Sequence, residues 1–338
     1  MKKLFNSRER MADDMIDGFV AAYPGVVTRG RHPRVVRRTV PKSPDKVALL
    51  IGNGSGHEPI AMGFVGPGLL DANVVGDVFA APSADLILEG LRDVAGPAGA
   101  ILLISRHDGD VINGMEAAML AGDEGLRVHP ILMYDDISSA PKGQEDDRRG
   151  AAGTIFVYKI LGAAAEAGMS LGDLITLGDA VRDATRTLGA ALNPGTSPLT
   201  GRAMFSLPED EVFIGMGVHG EPGVARRKTG PVAELVDYML AQLLADRPIA
   251  SGTDCTVLIN GMGGTTQMEL LTVFREVDRG LRAQGISQSA ALIGSLSTTQ
   301  EMAGFSISLL VPTPQMRALW CAAQGTPGFP QIHAGAAQ

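Results

Sequence analysis

Residues 52–59 read Gly52-Asn53-Gly54-Ser55-Gly56-His57-Glu58-Pro59, and they follow directly on the apolar run Val47-Ala48-Leu49-Leu50-Ile51. An apolar run that ends in a glycine cluster is typical of a buried strand leading into a loop at the carboxyl edge of a sheet. That edge is where open α/β sheets bind ligands. Glycines also let the backbone approach a small polar ligand closely. The octet therefore predicts a ligand loop, with a tight turn bearing a surface histidine as the alternative.

The chain after this loop alternates between short apolar runs and segments with helical spacing. We predict strands at 72–75, 100–104 and 128–133, and helices at 84–91 and 111–121. This alternation indicates βαβ units and a largely parallel sheet. Three strands end in the pairs Gly76-Asp77, Gly109-Asp110 and Asp135-Asp136, so we expect one polar pocket built from these pairs and the glycine loop. The long polar segment 135–153 is expected to be functional or mobile.

The length and the later part of the chain predict a second lobe. At 338 residues there is room for about two domains, and we predict an N-terminal α/β domain over 1–185 and a C-terminal α/β domain over 186–338. The second carries the loop Gly217-Val218-His219-Gly220-Glu221-Pro222-Gly223. Further helices are expected at 8–23, 154–168, 172–191, 232–244, 267–284 and 314–324, and strands at 211–218, 256–260, 291–295 and 305–311. The predicted fold is two α/β lobes with mainly parallel or mixed sheets flanked by helices.

Composition narrows the classes of protein to consider. The formal charge of −8 disfavours nucleic acid or an anionic membrane as the main partner, because both attract clustered Lys and Arg. No apolar run approaches the ~20 residues of a membrane span. The two cysteines, Cys255 and Cys321, are too few for a disulfide framework. We therefore expect a cytoplasmic protein with free thiols.

Two histidines, His57 and His219, lie in glycine-rich loops beside a Glu and a Pro. An imidazole can act as base, acid or nucleophile near neutral pH, so these two are the candidate catalytic residues. Each could instead only brace its loop. His107 follows another predicted strand. It could contact the ligand, or it could have no functional role, and the sequence leaves both alternatives open. Asp77 and Asp110 follow glycines at strand ends, where a carboxylate binds hydroxyls, relays a proton or caps the next helix.

Two kinds of site have no signature in the sequence. The His, Cys and carboxylate residues show no paired spacing of the kind that zinc sites use, so no metal site is predicted. There is also no G-x-x-x-x-G-K-[ST] phosphate loop. If the protein takes part in phosphoryl transfer, we expect the phosphoryl donor to be bound elsewhere.

With both histidine loops considered, the sequence resembles the DhaK subunit of dihydroxyacetone kinases over nearly its whole length. The matching segments follow one another in order and are together far more specific than any single motif. They are residues 1–4, 21–24, 52–59, 66–68, 148–150, 217–223, 260–265 and 302–306. The resemblance implies the two-lobed α/β fold of that family.

The resemblance also implies roles for the candidate residues. The imidazole of His219 would add to the ketone carbonyl of a substrate and form a covalent hemiaminal, which a polyol such as glycerol cannot do. His57 would be the general base on the hydroxyl to be phosphorylated, and Asp110 its proton partner. The substrate would be held by Gly54, Ser55 and Gly56.

A homodimer and a second protein are further implications of the resemblance. In this family the phosphoryl donor lies on a separate helical DhaL domain or subunit, as ATP with Mg or as an ADP that a phosphotransferase relay rephosphorylates. We therefore expect no cofactor on this chain and a DhaL-like, nucleotide-binding partner.

One segment departs from the family pattern. Where the family commonly has Lys-Asn-Tyr-Thr-Gly-Asp, this chain has Ser105-Arg106-His107-Asp108-Gly109-Asp110. Ser105 replaces a substrate-binding lysine, and Arg106 and His107 are adjacent candidate contacts. A hydroxyl is shorter than an ammonium and uncharged, so we predict a larger pocket that takes dihydroxyacetone or a tetrulose such as erythrulose. The alternative is a non-catalytic ketose sensor that serves transcriptional control, as some paralogues resembling DhaK do.

Overall fold

The computed structural model describes residues 2–217 and 223–332. The chain forms two compact units. Among the described residues, the first draws on the ranges 1–133, 157–180 and 322–331, and the second on 134–156, 181–321 and 332–338. A domain boundary at residue 185 stays a prediction.

The first unit is built on a six-stranded sheet in the order β1-β2-β4-β3-β5-β6. Its strands are β1 (Val27–Arg29), β2 (Val35–Arg38), β3 (Ala48–Ser55), β4 (Ala72–Val78), β5 (Ala100–Ser105) and β6 (Val128–Met133). Its helices are α1 (Met11–Ala22), α2 (Ala84–Val94), α3 (Asp108–Asp123) and parts of α4 (Thr154–Glu166) and α5 (Leu171–Ala184). Strands β4, β3, β5 and β6 are parallel, while β1 and β2 pair antiparallel. The predicted βαβ alternation is confirmed.

The core of this unit lies between the sheet and helices α2 and α3. Leu50 and Leu102 of the sheet pack with Leu91 of α2 and Ala117 of α3, and all four are buried. Parallel strands with helices on their faces are expected to be apolar throughout, and the 47–51 run has that composition. Helix α2 begins after Ser83, whose hydroxyl accepts a hydrogen bond from the Leu86 amide.

The second unit has its own six-stranded sheet, in the order β11-β10-β12-β7-β8-β9. Its strands are β7 (Thr185–Asn193), β8 (Glu211–Ile214), β9 (Ala225–Lys228), β10 (Asp254–Gly261), β11 (Ser287–Gly294) and β12 (Ala303–Leu310), and its helices are α6 (Val232–Asp246), α7 (Gln267–Ala283) and α8 (Pro314–Trp320). Only β10 and β11 pair in parallel among these strands. This sheet is therefore mixed and mainly antiparallel, in agreement with the predicted fold class.

Local predictions differ from the structure in several places, including β7, β9 and the start of α3. Residues 185–191 were predicted to continue a helix, but they form β7, which is buried on both faces and carries the β-branched Thr185 and Thr187. Strand β9 was not predicted because three of its four residues are charged, as suits an edge strand. Helix α3 begins at Asp108 rather than at residue 111, which places Asp110 in its first turn.

The helices in the described part of the chain fall short of a membrane span. None combines enough residues with a sufficiently apolar composition to cross a bilayer.

Candidate active site

The carboxyl ends of β3 and β5 form one edge of the first sheet. Strand β3 has β4 on one side and β5 on the other, so the chain changes direction across the sheet after β4. Such a switch in strand order leaves a crevice at the carboxyl ends, where open α/β sheets bind ligands. Strand β3 ends at Ser55 and β5 at Ser105, with Ile51 paired to Leu103. The two predicted substrate-binding segments therefore meet at the same edge.

Ser55 is a buried polar residue at the end of β3. It is 3% exposed, and its Oγ has no hydrogen-bond partner among the described residues. Leaving a buried hydroxyl without a partner costs about 1–3 kcal/mol. Such a group in a native fold needs an explanation, and a bound polar ligand is one.

The glycines of the loop are required by the segment that follows β4. Gly56 has a φ of +101°, and a Cβ there would lie 2.7 Å from the ring of Phe79. A Cβ on Gly54 would lie 2.8 Å from the backbone nitrogen of Ala80. Residues with side chains would therefore push residues 79–80 away from the end of β3.

His57 packs against an aromatic ring. It is 9% exposed, and its ring centroid lies 5.0 Å from that of Phe79 with the planes tilted by 46°. The alternative of a surface histidine in a tight turn is therefore wrong. Phe79 has a φ of +59°, which few residues other than glycine and asparagine adopt. Sequence reasoning missed Phe79, since nothing in the local sequence marks it.

The carboxylate of Glu58 holds the backbone of the same loop through hydrogen bonds. Both of its carboxylate oxygens accept from the backbone N–H of Gly56, at 3.0 and 3.1 Å. Burial raises the pKa of Glu58 above its usual range, against these backbone hydrogen bonds, which lower it. The carboxyl thus fixes the backbone on the residue before His57.

Ser105, His107 and Asp110 lie together at the end of β5. The Oγ of Ser105 is 3.4 Å from Nδ1 of His107, and that nitrogen is 3.7 Å from Oδ2 of Asp110. His107 occupies the N-cap position of α3, but its side chain makes no capping hydrogen bond there. Asp110 lies in the first turn, where the helix dipole stabilises a carboxylate. The backbone N–H of Arg106 donates to the Met133 carbonyl at 3.3 Å, which ties the end of β5 to β6.

The other predicted acidic residues have different partners. Asp77 has a side chain that is 77% exposed and pairs with Nη1 of Arg34 at 2.7 Å. Asp135 and Asp136 belong to the second unit. Asp135 accepts from the N–H groups of Ala151 and Gly153 at 2.7 and 2.9 Å. Its contacts are those of a residue that holds backbone in place.

His219 lies outside the described residues, so its role stays a prediction. The strands that flank its loop are described: β8 and β9 pair antiparallel, with Ile214 opposite Ala225. Gly217, on the near side of the loop, lines a small cavity together with Arg149, Asn260 and Ser306. Residues 148–150 are one of the segments shared with the family, and nothing in the sequence identified Arg149 as a contact of this region.

The sequence matches a family model and several curated proteins. The family model is described as Dak1 domain and matches residues 17–328. The dihydroxyacetone-binding subunit DhaK of PTS-dependent dihydroxyacetone kinase 1 from Listeria innocua is 41% identical over 92% of this chain and 94% of its own length. The D-erythrulose kinase of Mycolicibacterium smegmatis is 37% identical over 100% of this chain, which spans 57% of that kinase.

Two solved structures share the fold over most of the chain. The dihydroxyacetone kinase of C. freundii, solved with AMP-PNP and Mg²⁺, superposes with a TM-score of 0.90 at 33% identity and covers 100% of this chain and 62% of its own. The dihydroxyacetone kinase operon co-activator DhaQ superposes with a TM-score of 0.87 at 32% identity, covering 93% of this chain and 97% of its own. One shared fold thus occurs in a kinase and in a regulator.

Proposed function

The chain belongs to the Dak1 domain family, and on that basis we propose that it is the ketose-binding subunit of a kinase that phosphorylates short-chain ketoses. The observation that carries the proposal is the buried Ser55 hydroxyl without a described partner, two residues from the buried His57, at a sheet edge that also holds Asp110. Relatives of this chain are named dihydroxyacetone kinase and D-erythrulose kinase.

The first chemical step in this proposal is covalent capture of the ketose by His219. A ring nitrogen bonds to the carbonyl carbon, the π electrons of the C=O bond move to oxygen, and the ring N–H proton ends on that oxygen. The product is a hemiaminal that contains every atom of the ketose. A polyol has no electrophilic carbon and cannot react in this way.

The second step transfers a phosphoryl group to a terminal hydroxyl of the bound ketose. His57 accepts the hydroxyl proton as the oxygen bonds to phosphorus and the bond from phosphorus to the leaving group breaks. Packing of His57 against Phe79 supports this role, because a base acts only when it is held within reach of its proton. Asp110 is the proposed proton partner at the same edge.

The donor in this proposal comes from a DhaL-like partner that carries ATP with Mg, or an ADP rephosphorylated by a phosphotransferase relay. The absence of a phosphate-loop motif from the sequence supports a donor bound elsewhere. So does the name of the Listeria relative, which is one subunit of a PTS-dependent kinase. Assembly of this chain as a homodimer stays a prediction.

The substrate is proposed to be dihydroxyacetone or a tetrulose such as erythrulose, with Gly54, Ser55 and Gly56 at one side. Ser105, Arg106 and His107 supply the other side. The Oγ of Ser105 lies 3.4 Å from Nδ1 of His107. This side of the site therefore presents a hydroxyl and an imidazole, where a lysine would place an ammonium charge. The D-erythrulose kinase among the relatives supports a four-carbon substrate.

Mass spectrometry and reconstitution test the proposal together. Native intact mass of the wild-type chain with each of a panel of three- to five-carbon ketoses should show an increase by the full mass of one ketose, which His219→Ala abolishes. Adding a DhaL-like protein and phosphoryl donor should then give turnover with at least one of these ketoses. If no ketose of the panel forms an adduct with the wild-type chain, covalent capture is rejected.

A second candidate function is ketose sensing without catalysis. The observation that favours it is the likeness to the operon co-activator DhaQ over 93% of this chain. The same reconstitution separates the two candidates. Adduct formation without turnover, with every donor and partner tested, would favour the sensor over the kinase.

A further inference from the structure

The carbonyl oxygen of Gly215 receives two side-chain donors. Nη2 of Arg149 lies 3.0 Å from it, and Oγ of Ser138 lies 3.1 Å from it. Gly215 directly follows the last residue of β8 and precedes His219 by four positions. These donors therefore act on the chain at the start of the loop that carries the proposed nucleophile.

Asp136 holds both donors in place. Its Oδ1 accepts from the backbone N–H and the hydroxyl of Ser138 at 2.9 and 2.6 Å, and its Oδ2 accepts from Nε of Arg149 at 2.8 Å. The hydroxyl has one proton, and the shorter contact to Asp136 competes for it. Arg149 is thus the constant donor to Gly215. Its side chain is 14% exposed and that of Asp136 is 7% exposed, so water screens this ion pair only weakly.

Gly215 itself is fixed from several directions. Its φ is +76°, and a Cβ there would lie 2.4 Å from Cβ of Ser138, so only glycine fits. Its N–H donates to the Gly189 carbonyl of β7 at 2.8 Å. The backbone at this point is held to the sheet on one side and to Arg149 on the other.

The far end of the loop returns to the same place. The N–H of Val224 donates to the Ile214 carbonyl at 2.9 Å, directly beside Gly215. The described residues on both sides of the loop are therefore anchored at the end of β8, and His219 follows Gly215 by four positions in the sequence. Arg149 also lines the cavity that Met216 and Gly217 line.

We propose that Arg149, fixed by Asp136 and assisted by Ser138, is a positioning residue that sets the approach of His219 to the ketose carbonyl. The inference rests on the proposed covalent role of His219. Arg149 touches no reacting atom in this proposal and acts through the carbonyl of Gly215. Its loss displaces the nucleophile, and a displacement of about 1 Å can slow a positioned reaction by about 10²-fold.

The test compares Arg149→Met with a matched control, Arg186→Met. Arg186 is a similarly buried guanidinium of the same unit, with a side chain that is 11% exposed, and its partners are Asp246 and the carbonyls of Asp183 and Thr185. The readouts are the rate of adduct formation by native mass after mixing with erythrulose or dihydroxyacetone, and the thermal midpoint. We expect comparable losses in thermal midpoint, but adduct formation about 10- to 100-fold slower for Arg149→Met only.

Arg149→Lys provides a second variant in case Arg149→Met does not fold. A lysine ammonium cannot reach Asp136 and Gly215 with the geometry of a planar guanidinium, so we expect an intermediate adduct rate. Equal adduct rates for the Arg149 variants and Arg186→Met would overturn the positioning role while leaving covalent capture intact. No adduct in the wild type would overturn the proposed function and, with it, this inference.

Discussion

The rings of His57 and Phe79 pack with their centroids 5.0 Å apart, so the candidate base is held by a side chain from the segment after the neighbouring strand. Ring pairs at this separation contribute about 0.5–1.5 kcal/mol beyond burial. Because Phe79 is in the left-handed region with a φ of +59°, it pays a backbone cost to keep its ring there. A residue that tolerates a positive φ can therefore replace Phe79 while the backbone keeps its conformation.

Phe79→Asn should separate catalysis from stability. Asparagine accepts a positive φ more readily than phenylalanine, which offsets part of the lost packing, but it leaves His57 without its ring partner. We expect kcat to fall roughly tenfold with little change in adduct formation at His219, because general bases contribute about 10²–10⁴-fold and would be only partly displaced. Steady-state kinetics with the reconstituted partner measure this, and Phe79→Tyr is the control. An unchanged kcat would contradict the positioning of His57 by this ring.

A matched pair of glycine substitutions tests the backbone of the loop. Gly56→Ala places a Cβ 2.7 Å from the Phe79 ring at a φ of +101°, so we expect about 1–2 kcal/mol of lost stability and a large loss of turnover. Gly122→Ala lies near the end of helix α3 with open space around its Cβ, and should stabilise by about 0.5–1 kcal/mol. Urea unfolding measures both. Similar effects for the two would show that the Gly56 conformation is not required.

Asp135 should make stability depend on pH. Burial raises the pKa of its carboxyl from 3.8 to about 6. Between these two pKa values the folded state binds more protons than the unfolded state. The contribution of Asp135 to the free energy of unfolding is therefore fully present below pH 3.8 and is lost as pH rises through 6. We expect Asp135→Asn to lower stability by a constant amount but to flatten this part of the fall in unfolding free energy between pH 4 and 7.

Asp246 supplies the control with the opposite sign. Burial raises the pKa of Asp246, but hydrogen bonds from Arg148 and Arg186 outweigh it, and the pKa is lowered overall. Its contribution is therefore present above the unfolded value and lost as pH falls. Asp246→Asn should change the pH profile in the opposite direction to Asp135→Asn. A shared direction would contradict the assignment for Asp135.

Cys255 should be unreactive until the second unit unfolds. Burial raises the pKa of its thiol to about 12, so almost no thiolate is present at pH 8. In a Cys321→Ser background, we expect no labelling by iodoacetamide under native conditions and full labelling in guanidinium chloride. Labelling of the native protein within minutes would show that β10 opens far more easily than its burial implies.

The sheet edge could be predicted from the sequence because local signals carry it. Apolar runs such as 47–51 and 100–104 identify buried strands, and parallel alternation brings their carboxyl ends together. Strand β7 was mispredicted as helix because Thr185 and Thr187 are its only β-branched residues, and the rest of its β character comes from pairing with β12 and β8. The start of α3 was misplaced for a related reason: His107 makes no side-chain cap that would mark it.

Candidate site residues divide in the same way. His57 and Ser55 are identified by the glycine loop that contains them, whereas Phe79 and Arg149 act through contacts distant in sequence. Arg149 meets Gly215 across 66 residues, and no local pattern predicts such a contact. Asp77 was predicted from its strand-end position to contribute to the pocket; its partner in the structure is Arg34, which lies 43 residues earlier and which the sequence did not indicate.

Ser105→Lys should shift substrate preference toward the smaller ketose. Ser105 lies 3.4 Å from His107, and His107 lies 3.7 Å from Asp110. A lysine at position 105 would add an ammonium beside these two side chains. It would also fill space that a tetrulose is proposed to use. One added group in a pocket changes discrimination by about 10- to 200-fold. We therefore expect the ratio of kcat/KM for erythrulose over dihydroxyacetone to fall at least tenfold. Ser105→Ala, which adds no bulk, should leave that ratio within about threefold. An unchanged ratio in Ser105→Lys would mean that this corner does not face the fourth carbon.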